Sequence, residues 1–201
     1  MKTIVKYVNI IGNTIILNIL FILTSVLSLS LCTGTALSAL YATFLDLKTD
    51  DSGYYIRNYF KHLKNNFKQT IVFNIVLLLL GIATYLNILM INTIGSSEIK
   101  LICFAVLGLV VLEILLVSSF LYPVIAKFNG KKLELLYLSF AFAHKYIYIS
   151  ILFIILAILS IYLILYVSFA FIFIIFGLMI YIESLILKYI WRGYQYEIFE
   201  F

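Results

Sequence analysis

Charge is what this 201-residue sequence has least of: Asp, Glu, Lys and Arg together make up 11%, against about 25% in soluble domains. With 65% hydrophobic residues and a strongly positive mean hydropathy, a chain of this length cannot hide its apolar surface from water. Lipid must serve as its solvent. Cysteine is nearly absent: Cys32 and Cys103 have no metal-ligand spacing and no histidine cluster beside them, so no metal site is expected. They read as small packing residues, with a disulfide as the alternative because both fall near one membrane face. The single proline, Pro123, kinks its helix near the inner end of an apolar run. A nucleophile elbow, a phosphate-cradling glycine loop and paired catalytic carboxylates are all missing, and no loop is long enough to hold a soluble catalytic domain. The sequence therefore predicts no enzyme activity and no cofactor. The basic residues are scattered among apolar segments without a recognition motif, which argues against nucleic acid as a partner.

What is present is apolar runs. The first covers about 10–32 and follows Lys2 and Lys6. It is too long for the h-region of a signal peptide, which is roughly 7–15 residues. Bulky Leu31 before Cys32 does not suit lipoprotein cleavage, so a retained membrane helix is expected. Further runs cover 35–47, 70–91, 101–126, 147–165 and 168–187, the last two joined by a tight turn near Tyr166-Val167-Ser168. In lipid every backbone group must be satisfied within the segment, so these are helices. They lack the alternation of outer-membrane strands. The fold class is all-α integral membrane protein, one polytopic domain over 1–201.

The run 35–47 is short, and the direction of the chain depends on it. If 10–47 crossed the membrane once, the cations from Lys48 to Lys68 would lie opposite Lys2 and Lys6. If the chain turns back at Thr33-Gly34, where glycine tolerates the turn, thirteen of the fourteen Lys and Arg residues fall inside and only Lys100 outside. That asymmetry selects six segments, three hairpins with the second segment short, and both termini in the cytoplasm.

Two stretches between hairpins are amphipathic. In 54–68, Ile56, Tyr59, Phe60, Leu63 and Phe67 recur at helical spacing. Arg57, Lys61, Lys64 and Lys68 follow one position on. This predicts an interfacial helix against anionic headgroups, with Arg57, Phe60, Lys61, Lys64, Phe67 and Lys68 as its lipid or partner contacts. Lys131–Tyr146 is a weaker version.

Polar groups inside the apolar runs are the remaining candidates. Glu113 lies near the middle of its segment, where a charge costs roughly 2.5–3.5 kcal/mol. The carboxyl must be protonated or find a partner. Either it handles protons or cations, or it holds helices together by hydrogen bonds, with Asn13, Asn18 or Asn74 within the membrane as expected partners. Glu183 lies near the inner edge and is expected to reach Lys188 or the headgroups. His62 and His144 read as interfacial.

Asn18-Ile19-Leu20-Phe21, Thr33-Gly34, Ala39-Leu40-Tyr41, "YFKHLKNNFKQT" (59–70) and "YPVIAKF" (122–128) together resemble the YesL-like family of small bacterial multi-pass membrane proteins. The likeness covers most of the chain. Thr35 departs from the proline that the family often places after the glycine. The family's activity is uncharacterised. Its genes often sit beside carbohydrate ABC importers and extracellular-sugar sensors, so the resemblance implies the bacterial plasma membrane and a link to sugar uptake. The expected function is a non-enzymatic accessory subunit that docks on sugar ABC permease subunits. The alternatives are an autonomous small transporter or channel, or a membrane regulator of a sugar-sensing histidine kinase.

Overall fold

The computed structural model describes residues 2–28, 32–46, 52–168 and 172–194, and Lys48 lies outside them. Among the described residues seven α-helices follow one another: α1 (Lys2–Leu27), α2 (Thr33–Leu45), α3 (Ser52–Asn92), α4 (Ser97–Lys127), α5 (Lys132–Lys145), α6 (Ile147–Tyr162) and α7 (Ile175–Ile190). A π-helical turn, Leu163–Val167, ends α6, and a 3₁₀ turn, Trp191–Tyr194, ends α7. No strand occurs among the described residues.

The short helix α2 is the centre of the bundle, packed against α1, α3, α4 and α7. Ten of its thirteen residues are buried, from Gly34 to Phe44 with only Leu37 partly exposed. A helix buried on all sides cannot carry bulky side chains all round, and "TGTALSALYATFL" supplies small ones. Small residues let the neighbouring backbones come close. Gly34 shows this most sharply, since a Cβ there would lie 2.0 Å from Asn74 Oδ1 and 2.2 Å from Tyr122 Cε1.

This corrects the expected turn. Thr33 and Gly34 are the first residues of α2, and the connection to α1 comes before them. The Cys32 carbonyl already accepts the Ala36 N–H at 2.9 Å, and Ser28 Oγ accepts the Cys32 N–H at 3.3 Å. Gly34 thus serves close packing against Tyr122 and Asn74 from within the helix. Cys32 and Cys103 are unbridged.

The α2–α3 seam is a row of polar contacts. Thr35 Oγ1 lies 2.6 Å from Thr70 Oγ1, Asn66 Nδ2 donates to Ser38 Oγ at 2.8 Å, and His62 Nε2 lies 3.0 Å from Asp46 Oδ2. Partner numbers fall along α3 as they rise along α2, so the helices run antiparallel. Side-chain hydroxyls and amides hold helices together where lipid offers no hydrophobic drive.

The expected interfacial helix 54–68 and spanning segment 70–91 form one continuous helix, α3. No glycine or proline lies between Tyr54 and Leu80 to break it. At 1.5 Å per residue α3 is roughly 60 Å long, about twice a bilayer's hydrocarbon core. Its first part buries Tyr55, Tyr59, Thr70 and Phe73, Thr70 against α2, while Arg57, Phe60, Lys61, Lys64, Phe67 and Lys68 stay exposed on the outer face. Tyr59 faces inward, where its hydroxyl lies 2.7 Å from Thr24 Oγ1. Beyond Phe73 the helix leaves the bundle. Ile75 to Met90 of α3 and Ile99 to Leu115 of α4 form a hairpin whose apolar side chains are largely exposed.

The other end of α4 is sealed by an aromatic chain. Phe120 stacks on Phe153 of α6 (5.7 Å between centroids) and on Phe142 of α5 (6.2 Å). Phe128 joins Phe142 to Trp191, at 6.0 and 5.3 Å. The second amphipathic stretch, Lys131–Tyr146, is α5, with the Lys131 N–H donating to Glu134 Oε2 at 2.8 Å. The last segment starts later than expected, at Ile175.

A glycine pair tests the packing argument. Gly34→Ala should lower the stability of the purified protein by roughly 1–3 kcal/mol, because the methyl must displace the Tyr122–Asn74 pair. Gly81→Ala meets nothing within 4 Å and should be neutral or stabilising by up to about 1 kcal/mol. Thermal melts followed by circular dichroism compare the two. Equal melting points would show that α2 is not closely packed at Gly34.

Candidate intramembrane polar site

Glu183 is the most deeply buried carboxylate among the described residues, with 2% of its surface exposed. Helix α7 brings it to α2, where the Tyr41 hydroxyl donates to Glu183 Oε2. Gly177 positions the α1–α7 contact: a Cβ there would lie 2.9 Å from the Thr14 carbonyl and 2.8 Å from Asn18 Cβ, so only glycine lets the two backbones meet. Asn18 Nδ2 reaches past it to the Ile172 carbonyl at 2.8 Å.

Beside this pair lies a cavity of about 410 Å³ between α2, α3, α4, α6 and α7. Its walls are apolar, formed by residues such as Leu37, Leu77, Ile154 and Met179. Tyr41, Tyr122, Ser118, Ser119 and Glu183 supply the polar lining. The Tyr122 hydroxyl donates to Asn74 Oδ1 at 2.5 Å, which orients both side chains beside Gly34.

The polar residues singled out from the sequence do not meet one another. Asn74 pairs with Tyr122, Asn18 with Ile172, and Glu113 with neither. Glu113 Oε1 sits 3.3 Å from His144 Nε2, without hydrogen-bond alignment, and both side chains are about two-fifths exposed. His144, expected at an interface, is brought to Glu113 because α5 folds back along α4. His144 Nδ1 is 3.0 Å from the Phe140 carbonyl, which can only accept, so Nδ1 carries hydrogen.

Glu183 was expected near the inner edge, reaching Lys188 or the headgroups. It turns inward to Tyr41 instead, because it shares the buried stripe of α7 with Ile180, Ser184 and Leu187. That stripe, at helical spacing and with Gly177 one turn earlier, was the available signal. Lys188, just past it, is half-buried. Partial desolvation pushes its amine down from the ordinary value, Asp46 opposes this and Lys127 adds to it. The ends of α2, α4 and α7 thus gather charge at one place, beside the Asp46–His62 pair.

Among the described residues three helices are long and apolar enough to cross a membrane: Tyr54–Asn92, Ser97–Lys127 and Ile147–Val167. Shorter α1 is apolar from Ile11 to Leu27. The chain is thus an all-helical membrane protein that places its apolar helices in contact with the lipid bilayer. Residues 14–88, which cover most of α1 with α2 and nearly all of α3, match the family model described as "Protein of unknown function, DUF624". No curated protein and no solved structure matches.

A double-mutant cycle measures the buried pair. Tyr41→Phe and Glu183→Gln should each destabilise the protein, with a coupling near the ~0.6 kcal/mol average for bonds between membrane helices and no more than about 1.7 kcal/mol. Strictly additive losses would show that Tyr41 and Glu183 do not hold α2 to α7.

Proposed function

We propose that this protein is a non-enzymatic accessory membrane subunit of a carbohydrate ABC importer in the bacterial plasma membrane, assisting assembly or modulating transport. The observation that carries the reading is the α3–α4 hairpin. From Ile75 to Leu115 its two helices present apolar side chains outward, with Leu109, Met90 and Leu101 each about 70% exposed. That surface far exceeds what the chain's own core uses. A membrane helix surface of this extent serves lipid or the helices of another membrane protein. The choice of a sugar permease as the partner rests on the YesL-like resemblance, with which the family match over residues 14–88 is compatible.

The topology belongs to the same proposal: six membrane segments, both termini cytoplasmic, and the face of α3 that carries Arg57, Lys61, Lys64 and Lys68 at the inner headgroups. The gathering of Asp46, His62, Lys127 and Lys188 at one end supports it, since the charge count puts Lys127 and Lys188 inside, as it does Lys61 and Lys64, which flank His62. A second reading, an autonomous transporter, draws on the Glu183 cavity.

Affinity capture of the tagged full chain from native membranes, followed by mass spectrometry, should recover sugar ABC permease subunits. Recovery of a sensor kinase instead would move the function to regulation. Solo purification, with sugar flux in proteoliposomes of the pure protein, would replace the accessory role by transport.

Topology has its own readout. A cytoplasm-active reporter fused after Phe201 should be active and an exported-active one silent. The reverse pattern would overturn the six-segment arrangement.

A further inference from the structure

The cavity beside Glu183 has a chemical bias that sets what can occupy it. Four hydroxyls line it, and each has already spent its proton. Tyr41 donates to Glu183, Tyr122 donates to Asn74, Ser118 Oγ donates to the Leu115 carbonyl at 3.0 Å, and Ser119 Oγ donates to the Leu116 carbonyl at 2.7 Å. What these groups can still offer is acceptor lone pairs. Pro123, also in the wall, has no N–H to give to the Ser119 carbonyl one turn earlier. Among the described residues of the lining, Glu183 is the one carboxyl, and no Lys, Arg or His stands there to balance it. The hydroxyls of the lining therefore offer acceptors and no free donor, within otherwise apolar walls.

The way in is from the lipid side. Leu115, Ile158 and Ile161 line the cavity and are also 45%, 61% and 49% exposed, so its mouth lies among surfaces that face hydrocarbon. Its volume, about 410 Å³, is at the small end of the roughly 300–1,000 Å³ range of small-molecule sites. An occupant must bring hydrogen-bond donors, carry no negative charge and have an apolar body able to arrive through the bilayer. A fatty acid or phospholipid headgroup fails the second condition, since its anion would face Glu183 and find no cation.

We propose that this cavity binds an alkylammonium amphiphile, its ammonium donating to the free lone pairs of Glu183 and of the lining hydroxyls, and its chain lying along Leu77, Ile154 and Ile158. An ammonium has three donors and no acceptor, which complements this lining. The rings of Tyr41 and Tyr122 add faces on which a cation is favoured. The proposal is independent of the importer partnership, because the cavity lies within the single chain.

The test uses the full chain in lipid nanodiscs, titrated calorimetrically with octylammonium, octanol and octanoate, with empty nanodiscs subtracted. Octylammonium should bind saturably, at least tenfold more tightly than octanol, and octanoate should show no saturable binding. Glu183→Gln should weaken octylammonium at least tenfold. Ala157→Phe fills the cavity without touching the Tyr41–Glu183 bond, so it should abolish binding even if Glu183→Gln does not fold. Octylammonium binding unchanged by Ala157→Phe, or equal affinity for octylammonium and octanoate, would overturn the proposal.

Discussion

The structure depends on burying a thirteen-residue helix on every side. Helix α2 touches α1, α3, α4 and α7 at once, which is possible only because its side chains are small or hydroxylated where the neighbours come closest. Removing bulk has a second consequence in lipid. With little hydrophobic drive between helices, close backbone approach and polar bonds must supply the cohesion. The Thr35–Thr70 and Ser38–Asn66 contacts and the Gly34 fit against Tyr122–Asn74 are that cohesion.

The same central helix creates the polar site. Tyr41 projects from α2 to Glu183 on α7, and Tyr122 of α4 closes the other side through Asn74 on α3. A carboxyl kept this far from water is costly unless hydrogen-bonded, and Tyr41 supplies the bond. Glu113 follows a different logic. It lies outside the core, stays partly exposed and takes His144 from α5 as its partner. Of these two carboxyls, one is enclosed beside a cavity and the other lies on the bundle's flank.

Length mismatch gives the molecule its outward character. Helix α3 is too long to lie wholly within hydrocarbon, so its basic first half and its apolar second half meet different surroundings. The bundle packs against the first half. The second half leaves with α4 as a hairpin covered by little of the chain itself, which is where lipid or a partner must make up the contacts.

The sequence by itself determined the solvent and the class of structure. Sixty-five per cent hydrophobic residues in 201 leave no soluble solution, and uninterrupted apolar runs in lipid must be helical. The basic rhythm of Arg57, Lys61, Lys64 and Lys68 was legible because helical period fixes which residues share a face. Helix junctions were less so: nothing local marks an elbow between 54–68 and 70–91, and the absent breaker left α3 continuous. What only tertiary structure decided is who meets whom. Spacing places Glu183, Tyr41, Asn74 and Tyr122 on their own helices but carries no information about contacts between residues up to 142 apart. Glu113 looked central because depth along a segment can be counted. Glu183 proved central because burial depends on which neighbours surround a helix, and that is set by packing across the whole bundle.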